Sequence, residues 1–424
     1  MSQLTPVSAD ERAPMLDALR GFALFGVCLA NLFTSFALLG GPGAPPVSAG
    51  AANEVAAFLS HALIDGKFYS LFSLLFGIGF AIQMRRGEAS GDPELRRFRR
   101  RLWILFAIGL AHLCLVWKGD ILAFYALVGF VLVRFRHASD RKLLTWAAVL
   151  VAIPVLMYLP LWATGGMRAS IPATPAIVFW LPGMVIGKLV GLQPFSQPDL
   201  LHGGWRAFGQ ELATGPMFRY ASLVFEWRIC KVLAMFLIGL WVGRRRVWED
   251  LEAARPLLRR VALWGLAVGL PANLAMAALD ATNDYYMGTA RGLLHTVLYA
   301  LGVAPLALGY ASVFALAWTS PRVRGWLGGL APVGRMALTS YLTQSVIGVL
   351  LFYDIGLGLG GRVGPALLWL LAITILAAQT VFAAAWLRRY RFGPAEWAWR
   401  SLTYRARQPM RIAASRAPEP ALGA

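Results

Sequence analysis

Long apolar runs alternate with short polar turns along this chain, and the length of the runs decides its fold class. A helix advances about 1.5 Å per residue, so about 20 mostly apolar residues cross a hydrocarbon core. Such runs lie near 17–39, 67–84, 102–117, 120–135, 142–163, 221–243, 258–280, 291–318, 334–353 and 365–387. The pattern predicts an all-α fold, a polytopic membrane helical bundle of about ten transmembrane helices. It divides the chain into a cytoplasmic N-terminal segment over 1–16, a transmembrane domain over 17–387 and a cytoplasmic tail over 388–424. Only the link at 164–219 is long. Its Pro172, Pro175, Pro182, Pro194 and Pro198 argue against another regular span, so it is expected as an extracytoplasmic cap, with 176–192 able to lie along the interface.

Composition agrees with lipid as the solvent. The chain of 424 residues is 58% hydrophobic and 14% charged, with a mean hydropathy of +0.60. Its formal net charge of +19 would suggest a nucleic-acid binder in a soluble protein. Here the placement of the charge matters more than its sum. Of the 40 Lys and Arg, 30 fall in the segment up to Arg20, in the links at 85–101, 134–142, 243–260 and 319–335, or in the tail from 388. The intervening links are poor in them. By the positive-inside rule this orients the chain in a bacterial inner membrane with both termini cytoplasmic, and no nucleic-acid partner is expected. The last dozen residues read as disordered. The N-terminus carries Asp10, Glu11 and Arg12 rather than a basic run, so the first span is read as a retained helix. Cys28, Cys114 and Cys230 sit in apolar runs without pairing spacing and read as packing residues. Nothing in the pattern specifies an oligomer.

Ionisable residues inside apolar runs are the candidates for chemistry. On the first span, Arg20 and Asn31 are eleven positions apart, which leaves about 20° between them on one helical face, roughly 16 Å apart. Asp17 is placed either to cap this helix or to pair with Arg20. The third and fourth spans are joined by Trp117-Lys118-Gly119-Asp120, a turn so tight that the helices must be antiparallel neighbours. That turn brings Asp120 toward His112. A carboxylate beside an imidazole in a lipid-shielded place orients it and raises its basicity, as a general base acting on a hydroxyl requires. The alternative is an N-cap and a satisfied interhelical histidine. His61 and Asp65 are placed together by one helical turn before the second span, and Arg291 and His295 form a similar pair at the start of the eighth. In the sixth span Arg228 and Lys231 share a face while Glu226 points elsewhere, which leaves two cations for a phosphate or carboxylate or for snorkelling. The chain has no H-E-x-x-H, Walker A, G-x-S-x-G or clustered Cys/His pattern, so no metal or bound cofactor is expected.

Four blocks resemble the YeiB-like family of bacterial inner-membrane proteins. They are Leu16-Asp17-Ala18-Leu19-Arg20-Gly21-Phe22-Ala23 with Asn31; Gly66-Lys67-Phe68-Tyr69-Ser70-Leu71-Phe72 through Gly79; Gly109-Leu110-Ala111-His112 through Gly119-Asp120-Ile121-Leu122; and Gly334-Arg335-Met336-Ala337-Leu338-Thr339-Ser340-Tyr341 followed by Arg391-Phe392-Gly393-Pro394-Ala395-Glu396-Trp397. The family is similar to a broader group of transmembrane acyltransferases. That resemblance implies an acyl group passed from cytoplasmic acyl-CoA, the donor substrate, to a glycan or lipid acceptor on the far side. In the related pattern an arginine is followed on the first span by a histidine; here Arg20 matches and Asn31 stands at the histidine position. Asparagine accepts no proton at neutral pH, so the base must lie elsewhere, with His112 supported by Asp120 as the candidate. Asp17, Arg20, Asn31, His61, Asp65, Arg228, Lys231 and His295 are then the candidate substrate contacts. A transporter or lipid-handling protein for an anionic small molecule is the competing expectation.

Overall fold

A computed structural model describes residues 13–38, 50–88, 93–163, 173–193, 196–281 and 289–412. The expected disorder of the last dozen residues, and Pro172 and Pro194 of the long link, lie outside them. The described residues form helices and no sheet, in the order α1 (Pro14–Asn31), α2 (Ala51–Leu63), α3 (Lys67–Glu88), α4 (Pro93–Leu115), α5 (Leu122–Leu132), α6 (Asp140–Ala163), α7 (Ala173–Leu189), α8 (Gly204–Phe225), α9 (Arg228–Arg244), α10 (Arg255–Ala281), α11 (Ala290–Trp318), α12 (Pro321–Gly328), α13 (Ala331–Arg335), α14 (Ala337–Phe352), α15 (Pro365–Trp386) and α16 (Pro394–Tyr404). Helices occupy most of each of the ten apolar runs. Among the described residues, six helical stretches are long and apolar enough to cross a membrane: Pro14–Phe36, Ala51–Arg85, Asp140–Pro160, Arg255–Asp280, Ala290–Trp318 and Pro365–Trp386. Leu122–Phe135, Pro175–Leu189 and Ala337–Phe352 are shorter apolar helices.

The protein has an inside and an outside, and apolar residues line both. α1 is central, with Leu16, Leu19, Ala23, Leu24 and Leu29 at most 3% exposed and α3, α13, α14 and α15 around it. The outer helices carry Leu156, Val185, Trp264, Leu370 and Val381 on exposed faces. Water would penalise such a ring; lipid does not. α3 and α9 approach so closely that a Cβ on Gly239 would lie 3.0 Å from the Cα of Gly77, the small-residue contact typical of helix pairs in lipid. Pro154, Pro271 and Pro305 sit within continuous helices, as apolar helices packed in lipid tolerate.

One expectation gains detail and one needs correction. The 164–219 link holds α7 and most of α8, which pack on each other with Pro182 and Pro216 inside them; α7 overlaps the segment expected to lie along the interface and is a shorter apolar helix than the six long stretches. Proline removes one backbone donor, which an apolar helix packed on a partner tolerates. The run at 221–243 is interrupted. α8 stops at Phe225, Trp227 takes a left-handed backbone at φ 53°, and α9 restarts at Arg228.

The arginine-bearing links gather at one end of the bundle. There Arg85 pairs with Glu249 at 2.9 Å, Arg245 with Asp140 at 2.8 Å, and Arg244 donates to the carbonyls of Arg136 and Ala138 at 2.5 Å. The C-terminal helix α16 closes this end. Its Glu396 accepts from the backbone N–H groups of Leu338 and Thr339 at 2.7 and 3.1 Å and from Thr339 Oγ1 at 2.6 Å, capping α14. Burial of Glu396 raises its carboxyl above the ordinary value, and these donors offset only part of that rise. The two segments of the C-terminal sequence block thus meet at one carboxylate. Trp399 donates its indole N–H to the carbonyl of Arg101 at 3.0 Å, and the Arg101 guanidinium lies 4.1 Å from the Trp399 ring centroid.

Candidate functional site

A second group of buried polar residues, among them Lys67, His112 and Asp120, lies at the other end, where α3, α9 and α11 begin and α4, α8 and α10 finish. α4 ends at Leu115, the chain turns through Trp117 and Gly119, and Asp120 caps α5 by accepting from the Ala123 N–H at 2.9 Å. Its other oxygen meets His112 Nδ1 at 2.9 Å. Their side chains are 3% and 1% exposed, so this pair is shielded from solvent. In the tautomer that donates from Nδ1 to this carboxylate, a neutral imidazole carries its lone pair on Nε2. His112 Nε2 is buried and has no hydrogen-bond partner among the described residues. The imidazole lies against Trp117 and Tyr341, with centroid separations of 6.4 and 5.5 Å. Tyr341 also accepts from the Ile121 N–H at 3.3 Å. The expected cap and the expected imidazole partner are therefore the same carboxylate.

A second cluster joins two pairs that the sequence kept apart. His61 Nδ1 lies 2.8 Å from Asp65 Oδ2 and 3.9 Å from Asp280 Oδ2, while His295 Nε2 lies 3.1 Å from Asp280 Oδ1. Asp280 near the end of α10 is the bridge. Lys67, fully buried, donates from Nζ to the His61 carbonyl at 2.7 Å, so an ammonium satisfies the end of α2. Asp65 Oδ1 is buried and has no partner.

The break between α8 and α9 forms the third element. Because Trp227 interrupts the helix, Glu226 swings to pair with Arg228, and only Lys231 remains without a carboxylate. This corrects the expectation that both cations lack a partner. The Arg228 guanidinium lies 4.5 Å from the Tyr69 ring centroid and Lys231 Nζ lies 3.9 Å from that of Tyr299. The hydroxyls of Tyr69 and Tyr299 bond each other at 2.6 Å. A cavity of about 380 Å³ opens beside them, lined by Tyr69, Glu226, Trp227, Lys231, His295 and Tyr299 together with apolar residues of α6 and α11. His112, Asp120 and Asn31 do not line it.

The remaining candidates are elsewhere. Asp17 and Arg20 pair with each other at 2.5 Å on the first turns of α1. Asn31 is half-buried at the last turn of α1. Beyond it a π-turn over Leu32–Phe36 stacks Phe36 on Trp117 at 4.3 Å. Sequence reasoning missed Lys67, Asp280, Arg219 and the tyrosines. Lys67 and Asp280 carried a usable signal, since each is an ionisable residue within an apolar run. Arg219, which donates to the Gly119 carbonyl at 3.5 Å, fell in the long link.

A bundle of apolar helices with an exposed apolar ring and ionisable groups buried at one end defines a polytopic α-helical membrane protein. A family model described as "Protein of unknown function (DUF418)" matches residues 242–406. The chain is 32% identical to "Uncharacterized protein YxaH" of Bacillus subtilis (strain 168), over 97% of this chain and 98% of that one. It is also 32% identical to "Uncharacterized protein YeiB" of Escherichia coli (strain K12), over 94% and 98% respectively, and 28% identical to a 39.9 kDa protein of Bacillus acidopullulyticus over 96% and 98%. The chain belongs to the YeiB-like family.

Proposed function

We propose that this membrane protein transfers an acyl group from cytoplasmic acyl-CoA to a hydroxyl of a glycan or lipid acceptor on the far side of a bacterial inner membrane, with His112 as general base. One observation carries the reading: a buried imidazole is held by Asp120 through Nδ1, at 2.9 Å, while its Nε2 has no partner. An unpartnered buried acceptor is unfavourable by about 1–3 kcal/mol in a purely structural role. It is what a base awaiting a substrate proton requires. The acceptor oxygen attacks the thioester carbonyl as its proton passes to Nε2. Collapse of the tetrahedral intermediate breaks the carbon–sulfur bond, and the departing CoA thiolate takes that proton from the imidazolium. Asp120 keeps the tautomer and stabilises the imidazolium. The resemblance of the first-span block to transmembrane acyltransferases supports the donor assignment, with Arg20 toward the donor and Asn31 toward the acceptor or the thioester carbonyl.

The test measures radiolabel passing from acetyl-CoA and palmitoyl-CoA into the glycan and lipid fractions of membranes containing the protein. His112→Ala is expected to keep its melting temperature within a few degrees and to lose transfer by on the order of 10²–10⁴-fold. Unchanged transfer in a folded His112→Ala protein would overturn the assignment. A second reading, movement of a small anion, is favoured by the cavity beside Lys231. It predicts flux into sealed vesicles without acyl-CoA.

A further inference from the structure

The cavity at the α8–α9 break has an imbalance of charge and hydrogen bonding that its own walls do not resolve. Of the cations around it, Arg228 is paired with Glu226, and Lys67 bonds the His61 carbonyl with Asp65 and Asp280 nearby. Lys231 differs. Among the described residues no carboxylate oxygen comes within 4.0 Å of its nitrogen and no acceptor bonds it; its close contact is the Tyr299 ring. Away from water a lysine keeps its charge only where an anion joins it, and otherwise gives up its proton.

Two neutral donors point to the same conclusion. The Tyr69 and Tyr299 hydroxyls share one hydrogen bond, and a pair of hydroxyls has two protons, so one remains to be donated. Trp227 lines the cavity, and its indole N–H has no acceptor among the described residues. The carboxylate of Glu226, the one acid in the wall, is already neutralised by Arg228. Much of the rest of the wall comes from α6 and α11 and is mixed: Val151, Pro154, Val303 and Ala304 are apolar, while Tyr158, His295 and Thr296 are polar. α6 is itself an outer helix, with only 22% of its apolar span buried. The cavity therefore joins a cationic, donor-bearing corner at Lys231 to apolar residues on helices that include one facing lipid.

At about 30 Å³ per water-sized group, a cavity of about 380 Å³ holds about a dozen such groups. That accommodates an anionic headgroup and the first segment of one chain, and a second chain would have to lie outside it. We infer that this cavity binds the phosphate or carboxylate headgroup of a single-chain anionic amphiphile, with Lys231, the free tyrosine proton and the Trp227 N–H on the anion and the tail along α6 and α11. The site stands apart from the acyl-transfer reading, because neither His112 nor Asp120 lines it. A failed transfer assay leaves it intact.

The test uses the full-length protein in a neutral maltoside detergent, with dodecyl phosphate and inorganic phosphate as probes. The detergent supplies the tail without the charge, and inorganic phosphate supplies the charge without the tail. Dodecyl phosphate is expected to bind saturably. Lys231→Met, which keeps the stem and removes the charge, should weaken it roughly ten- to hundredfold, and Tyr299→Phe by a smaller factor, both with melting temperatures near that of the parent. If Lys231→Met does not fold, loss of affinity in Tyr299→Phe carries the test. Inorganic phosphate is expected to bind far more weakly. Absence of saturable dodecyl phosphate binding, or binding unchanged in folded Lys231→Met and Tyr299→Phe, would overturn the inference. So would equal affinity for inorganic phosphate, because the tail would then contribute nothing.

Discussion

The two ends of this bundle handle charge in opposite ways. At the arginine end, cations meet carboxylates of other links or the carbonyls that finish helices: Arg245 meets Asp140, Arg85 meets Glu249, and Arg244 meets two backbone oxygens. Such contacts cross-brace the helix ends, and the paired side chains are 37–59% exposed, although Arg85 Nη1 and Arg255 Nε are buried without a partner among the described residues. At the other end His112 and Lys231 lie among aromatic rings, and several groups keep one position open among the described residues: His112 Nε2, Asp65 Oδ1 and the Lys231 nitrogen. Charge that is cross-linked and wet serves anchorage. Charge that is buried and incomplete is maintained against its own unfavourable energy, which is expected where a ligand completes it.

The comparison breaks most readily at Asp120. Asparagine there offers one oxygen for two donors, and its amide favours the imidazole tautomer with the proton on Nε2, where no acceptor proton can be taken. Asp120→Asn is expected to lower kcat of acyl transfer by on the order of 10²–10⁴-fold while KM and the melting temperature change little. A matched fall in kcat and stability would mean that Asp120 is merely a helix cap. Gly239→Ala provides the contrast, for its new Cβ would overlap the Leu74 carbonyl oxygen and press on the Gly77 Cα of α3. A loss of about 1–3 kcal/mol is expected from this overpacking, visible as a lower melting temperature in detergent. A Gly239→Ala protein as stable as its parent would show that α3 and α9 are not tightly joined.

Much of the fold was legible because lipid imposes a strong rule. Every run of about 20 apolar residues must be helical, and the arginines mark the links between them. α7 and α8 were obscured by their prolines, which are reliable breakers in water and weaker ones among apolar helices. The break at Trp227 left no trace, since Phe225-Glu226-Trp227-Arg228 contains neither Gly nor Pro and a left-handed tryptophan is unexpected. His112 and Asp120 could be paired from the sequence because only eight positions and one tight turn separate them. His61 and Asp65 could be paired for the same reason. Their link to His295 through Asp280 could not, because it depends on how α2, α10 and α11 pack. The cavity beside Lys231 depends on the same long-range packing and on the unforeseen break.

The smallest expected effect sharpens the other side of the comparison. Glu396 at the arginine end is buried yet fully engaged, with Leu338, Thr339 and the Thr339 hydroxyl on its two oxygens. Burial still outweighs these donors and holds its carboxyl above the ordinary value of 4.5. A folded protein that retains this proton after the unfolded chain has lost it binds more protons than the unfolded chain, so stability from this group falls as pH rises. The contribution is full below about 4.5 and declines as pH climbs through the raised folded value. Glu396→Gln keeps an acceptor oxygen for the two backbone N–H groups and removes the titration. The melting-temperature difference, parent minus Glu396→Gln, should therefore shrink or turn negative as pH rises from about 4.5 toward neutrality. A difference that grows with pH would show the carboxylate to be favoured in place. This end would then stabilise buried charge better than the His112 end does, and incompleteness rather than burial would be the feature that separates the two.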